Sequence, residues 1–273
     1  MRILQIVLPD STAYERKSQR VDQAALSPSH EVFTISDPSQ FPPADVAHVY
    51  APPHLMGRRL RRLSIPWLTN GTLTRSPLPW LRGRPPASVI SPLPGIGVSV
   101  VPEATEDRYF DEPSAGTMSS DLERPRVVGS FVRPALRGLV EQTLGRLHRF
   151  RDDVSWHLFD GDPSPEDLDG LDAWVDPAVD PLDLDGFGAE AIVRGLPVVA
   201  ARTPINTVRL ENGRTGWLVP AGDPNELTHA ILSVLFKSEL GQNKISAAKQ
   251  TRAKFRSRQR LRVLIPLYEA LRP

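Results

Sequence analysis

The sequence predicts an α/β protein built of two lobes, each with a parallel sheet. Three observations carry this. Short apolar runs alternate with short helical stretches from the first residue onward, as parallel strands joined by crossovers require. An acidic Pro/Ser/Gly stretch, Glu103 to Arg124, divides the chain near its middle and reads as a linker. Beyond it, Asp185 to Leu227 joins a Gly-rich turn, a helix carrying a carboxylate, a buried strand and two further turns, the order an α/β nucleotide-binding half-domain needs at the carboxyl ends of its strands.

In the first half, Ile3 to Leu8 is an apolar run closed by Pro9-Asp10, the pattern of a central parallel strand. Tyr14 to Leu26 reads as a helix, and Glu31–Ile35, Val46–Tyr50, Ile65–Thr69 and Val98–Val101 as strands, with a short basic helix over Leu55–Leu63. Proline pairs at 42–43, 52–53 and 85–86 demand extended or turning backbone between them. In the second half, Arg126–Gly129 and Val154–Phe159 read as strands flanking a helix over Leu136–Phe150. Ser164 to Ala178 is too acidic and proline-broken to assign. A helix over Ala189–Arg194 and strands over Pro197–Ala201 and Gly216–Val219 follow, with a turn at Asn212-Gly213. Asp223 caps a helix through Leu235, with Pro224 in its first turn and Glu226 at the third position. Ser246 to Leu271 reads as a final helix pair interrupted near Pro266.

Composition excludes several classes. The chain has 273 residues and no cysteine, so disulfides and thiolate metal sites are out. No apolar run approaches the ~20 residues that span a bilayer, and the N-terminus turns polar too soon for a signal peptide; a cytoplasmic protein is expected. A net charge of +1 gives no global pull toward nucleic acid, and the basic run Lys244–Arg262 lacks interleaved aromatics for base stacking. His48, His54 and His157 have no metal-ligand spacing. The Arg58-Arg59-Leu60-Arg61-Arg62 cluster reads as a solvated helix face, with peripheral membrane contact the most it would support.

Several segments, in order, resemble one family. Glu190 to Ala200, EAIVRGLPVVA, is similar to its EAxxxGxPVVA segment. Asn212 to Pro224, NGRTGWLVPAGDP, is similar to its DGxTGxLVPPGDP segment. Val100 to Phe110 resembles its interdomain VIPNGVDxxxF, and Met1–Leu4 with Ser29–Ile35 resemble its opening strand and its GHEV strand. The family is the retaining, nucleotide-sugar-dependent glycosyltransferases of family four. The resemblance implies the GT-B fold: two Rossmann-like lobes, both trimmed here, with the C-terminal helix crossing back to the first lobe. On that reading residues 1–110 are an acceptor-side lobe, 111–124 a linker, 125–250 the nucleotide-sugar lobe and 251–273 the terminal helix, anchored through Tyr268 and Leu271.

The resemblance also implies roles. Glu190 matches the family's ribose-binding Glu, a carboxylate able to accept two hydrogen bonds from a diol. Gly186, Phe187 and Gly188 form the turn that would approach the phosphates. The sugar-facing carboxylate is Asp185 by motif, but the spacer to Glu190 is short by about one helical turn, ~3.6 residues, and register would put Asp183 there instead; the motif is preferred. In the cationic segment Ser130 stands where the family has Arg, Arg137 matches its Lys, and Arg133 lies one turn earlier. A guanidinium there would neutralise the departing diphosphate, with no metal and no cofactor beyond the donor itself. The family's first-lobe His-Gly turn corresponds to Asn70-Gly71, so Asn70 is an acceptor-side candidate; His48, on an apolar strand, is a second if it faces the cleft, though a core or edge role suits it better. The implied partners are a nucleotide-sugar donor of unknown base and an acceptor that is a glycan, a lipid-linked group or a small molecule. Two other readings share the fold: a degenerate protein that binds a partner or glycan without chemistry, and a sugar-nucleotide epimerase.

Overall fold

The structure, a computed structural model, describes residues 1–8, 11–37, 42–50, 66–70, 88–91, 98–111, 124–131, 133–179, 186–236 and 238–271. Asp183, Asp185, the Arg58–Arg62 cluster and most of the expected linker lie outside these. The chain divides into two compact units, Met1–Glu106 with Lys254–Pro273, and Asp107–Ala253.

Among the described residues the first unit holds six strands: β1 (Arg2–Val7), β2 (Glu31–Ile35), β3 (Val46–Tyr50), β4 (Trp67–Asn70), β5 (Ser88–Ser91) and β6 (Val98–Val100). They form one parallel sheet in the order β2-β1-β3-β4-β5-β6. Alternation along β1 sends Leu4 and Ile6 to one face with Val49 and Trp67, and Ile3 to the other with Val46 and Leu68. Both faces are covered, which is why β1 reads as a continuous apolar run rather than an alternating one. Helix α1 (Ala13–Leu26) starts from a reciprocal capping box between Thr12 and Glu15.

The second unit holds β7 (Arg126–Phe131), β8 (Val154–Phe159), β9 (Ala173–Asp176), β10 (Val198–Ala201) and β11 (Trp217–Val219), also parallel, in the order β11-β10-β9-β7-β8. Among the described residues β8 is an edge; the outermost strand of the common 3-2-1-4-5-6 order is missing. Helices α2 (Arg137–Leu147) and α6 (Pro224–Phe236) cover one face, packing Leu139, Leu147, Leu227, Ile231 and Val234 on Val128, Val175 and Val199. Asp223 caps α6, its Oδ1 accepting from the amides of Asn225 (2.9 Å) and Glu226 (3.1 Å).

Several elements differ from the sequence reading, which also names no strand at β5. The unassigned Ser164–Ala178 contains helix α3 (Pro165–Asp169), opened by a capping box between Ser164 and Asp167, and the buried strand β9. Between β10 and β11 lies a further helix, α5 (Pro204–Arg209), capped by Thr203 with Pro204 in its first turn. The break in the C-terminal pair is not at Pro266. Helix α7 (Ser238–Thr251) ends in a 3-10 turn, Arg252–Phe255, and α8 (Ser257–Leu271) runs through Pro266. The buried Phe255 fixes the break, with its carbonyl accepting from the Thr105 amide at 2.9 Å.

Helix α8 belongs to the first unit. Leu264 and Tyr268 are fully buried against Ile3, Leu26, Val46 and Leu68. Arg260 grips the buried Asp22 of α1 with two hydrogen bonds, 2.6 and 2.8 Å, and donates a third to the Pro102 carbonyl. Burial opposes the Arg260 charge, and Asp22 more than offsets it, holding the guanidinium protonated.

Candidate functional site

In an open parallel sheet, ligands bind beyond the carboxyl ends of the strands where the strand order reverses. In the second unit that point lies between β7 and β9, whose crossovers leave in opposite directions. The chain leaving β7 carries Ser130, Phe131 and Arg133, makes the 3-10 turn Pro134–Leu136, and enters α2 at Arg137. The chain beyond β9 returns as the turn Gly186-Phe187-Gly188 and enters α4 (Gly188–Arg194). The two meet: the Phe131 and Phe187 rings pack edge to face, centroids 5.3 Å apart.

Several expected residues thus gather at one place, but not all in the expected role. Arg137 is exposed at the start of α2, and Arg133 is half-buried one turn before it. Ser130 is 0% exposed, and its hydroxyl accepts the Trp156 indole N–H at 2.8 Å. Phe187 is 2% exposed, wedged between Phe131 and Trp174. Ser130 and Phe187 are thus both covered by side chains of their own lobe. Glu190 sits in the first turn of α4 and is 0% exposed.

The glycines have a reason the sequence did not reveal. Gly186 has φ +133°, a region that side chains rarely adopt, and a Cβ there would lie 2.2 Å from Oδ1 and 2.6 Å from Oδ2 of Asp176. A Cβ at Gly188 would lie 2.9 Å from Asp176 Oδ2. The turn wraps over the carboxylate that ends β9. Asp176 is itself held by Arg209 of α5 at 3.2 Å, and Arg209 also donates to Asn206 Oδ1 at 3.0 Å. The Asn206 amide donates to the Ala201 carbonyl at the end of β10.

Helix α4 is anchored at its other end. Arg194, in its last turn, pairs with Asp169 of α3, its Nε donating at 2.8 Å, and donates to the Asp111 carbonyl at 2.6 Å. Gly195, at φ +84°, closes the helix in the left-handed conformation. The last turn before β11 is held by Lys244, which donates to the Gly213 and Gly216 carbonyls and lies over the Trp217 ring; burial lowers its pKa.

In the first unit, His48 does not face outward. It is 0% exposed on β3, stacks on Tyr50 (centroids 3.9 Å apart), and its Nδ1 lies 2.7 Å from the Tyr268 hydroxyl. The Tyr50 hydroxyl donates to Asp22 at 2.7 Å, so His48 joins the same buried network that holds α8. The ring is enclosed by α8 and its own sheet, the core position that its apolar strand favours. Asn70 ends β4. Among the described residues, no cluster of His, Asp and Glu could hold a metal ion, and no helix is long and apolar enough to cross a membrane.

No protein-family model matches the chain, and no curated protein does. Solved structures do match, end to end. Anabaena HepE, solved with UDP and glucose, has a TM-score of 0.71 at 14% identity, covering 99% of this chain and 100% of that one. Sucrose-phosphate synthase from Thermosynechococcus elongatus has a TM-score of 0.68 at 14% identity, with 99% of each chain covered. A glycosyltransferase from Rickettsia africae has a TM-score of 0.67 at 13% identity, covering 99% of this chain and 98% of that one. The fold is GT-B. At these identities the likeness reaches the fold and stops there.

Proposed function

We propose that this protein is a retaining, metal-independent glycosyltransferase that moves a sugar from a nucleoside-diphosphate donor to an acceptor. The observation that carries the reading is the meeting, at the β7/β9 switch point, of the end of β7, from which the chain runs on to Arg133 and Arg137, with the turn that leads into Glu190. The same fold in HepE was solved with UDP-glucose, which makes UDP-sugars the first donors to try.

In this reading Glu190 accepts hydrogen bonds from the ribose diol. Its full burial makes each such bond strong, because water competes little there. Burial also means that the groups over it must yield before a donor arrives. Arg137, exposed and permanently charged, meets the diphosphate, with Arg133 behind it. As the bond from the anomeric carbon to the diphosphate oxygen breaks, the electron pair leaves on the diphosphate, where the guanidinium stabilises the charge; the acceptor's hydroxyl oxygen bonds the anomeric carbon, and its proton passes to the departing diphosphate. Asp185 orients the donor sugar, and Asn70 stands on the acceptor side. No cofactor enters, and the acceptor is a glycan, a lipid-linked group or a small molecule.

A screen of UDP-, GDP- and ADP-sugars for hydrolysis and transfer tests this. Turnover of one base class is expected, abolished in Glu190→Ala while circular dichroism stays native. Turnover by Glu190→Ala equal to the parent's would remove the assignment. Conversion of donor to an epimer without acceptor, or no turnover and no nucleoside diphosphate binding, would favour the epimerase or the partner-binding reading in turn.

A further inference from the structure

We infer that Asp176 and Arg209 form a positioning pair that sets the height of the Gly186–Gly188 turn, and through it the start of α4 and Glu190. The consequence for binding rests on the proposed function; the geometry does not.

The Asp176 carboxylate is the surface on which the turn rests. It lies so close beneath two glycines that neither position has room for a Cβ. Asp176 is the last residue of β9, so its backbone is fixed by pairing with β10. Its side chain is fixed in turn by Arg209, and Arg209 by Asn206, which is tied to the end of β10. The turn therefore sits on a polar bracket built from two adjacent strands and α5. Both charged side chains are nearly sealed, at 5% exposure for Asp176 and 1% for Arg209. A pair buried this deeply adds little stability over apolar residues of similar shape, because both charges lose their hydration. A role in placement accounts for a charged pair here where simple packing does not. Gly188, which rests on the carboxylate, is the first residue of α4, and Glu190 follows two positions on.

The test compares the full chain with Asp176→Asn, Arg209→Lys and the double variant Asp176→Asn/Arg209→Met. Three readouts are taken: thermal denaturation, hydrogen exchange of the 186–191 amides without ligand, and UDP affinity by calorimetry. Asp176→Asn keeps the shape but removes the negative charge that faces Arg209; it is expected to lower Tm, to speed exchange at the turn and to weaken UDP binding by about tenfold or more. Arg209→Lys, which keeps the charge beside Asp176, should retain most of the affinity. The double variant removes both charges of the pair, so Tm recovers while fast exchange and weak binding persist. Recovery of exchange protection and affinity together with Tm would make the pair merely structural and overturn the inference; so would unchanged exchange in Asp176→Asn. Should the single variant fail to fold, the double variant decides. Should the parent protein bind no nucleoside diphosphate, the glycosyltransferase reading fails, and the exchange measurement alone still decides whether the pair sets the turn.

Discussion

Replacing Gly186 with alanine puts the account of the turn under direct strain. Two penalties combine. At φ +133° a side chain occupies backbone space that is essentially glycine's alone, costing roughly 1–3 kcal/mol. The new Cβ would also lie 2.2 Å from Asp176 Oδ1, which is not a flexible tip but a short carboxylate on a paired strand. Moving it breaks the buried contact with Arg209, and disrupting a buried ion pair costs about 3–5 kcal/mol. Gly213 supplies the control. It too has a positive φ, +89°, but nothing lies within 4 Å of its would-be Cβ. Alanine there should cost only the left-handed penalty, about 1–2 kcal/mol. Urea unfolding followed by tryptophan fluorescence should separate the two variants by roughly 3–6 kcal/mol. Equal losses would mean that the turn can lift off Asp176 without cost, and the bracket described above would be wrong.

Other outcomes follow from the same structure. Arg194→Ala removes the ion pair with the half-buried Asp169 and the hydrogen bond to the Asp111 carbonyl, so unfolding stability should fall by about 1.5–3 kcal/mol, read from the urea midpoint. Gly145→Ala, in the exposed middle of α2 with open space around it, should raise stability by about 0.5–1 kcal/mol; a loss would show a contact that the structure lacks. Burial raises the Tyr14 pKa to about 12, and burial likewise pushes Tyr50 and Tyr268 well above the usual value. The folded state therefore keeps protons that the unfolded chain releases near pH 10. The stability these groups add is fully present below about pH 10 and is lost as pH rises toward 12, with Tyr14 alone accounting for roughly 3 kcal/mol. Urea midpoints between pH 8 and 11.5 should fall along that slope, and a flat profile would contradict the burial of these phenols.

The parallel sheets were legible because strands buried on both faces write themselves as apolar runs, and β1, β3, β7 and β10 all do. Strand β9 was not, because Ala173–Asp176 is only four residues long and sits among carboxylates and prolines whose partners are distant in sequence. The Ser164-x-x-Asp167 capping box was a signal for α3 that periodicity alone could not use. Pro266 misled because packing of Leu264 and Tyr268 outweighs the local penalty of proline in a helix. At the site, the sequence put the glycines, Glu190 and the arginines in one neighbourhood, but the motif does not say which side chains turn inward. Phe187 and Ser130 look inviting in a glycine-rich, cation-rich context, yet each fills its own lobe. Asp176 and Arg209 were invisible for the opposite reason: their importance lies in a contact spanning 33 residues of sequence. His48 carried no spacing signal at all, and its partner Tyr268 comes from the far end of the chain.

The central claim is that the second lobe binds a nucleoside diphosphate at the β7/β9 switch point, and calorimetric titration with UDP, GDP and ADP tests it most directly. The account predicts saturable binding of one of the three, weakened by about tenfold or more in both Glu190→Gln and Arg137→Ala, with both variants still folded. Binding that neither variant alters would place the ligand elsewhere, and no binding of any of the three at millimolar concentration would contradict the claim outright.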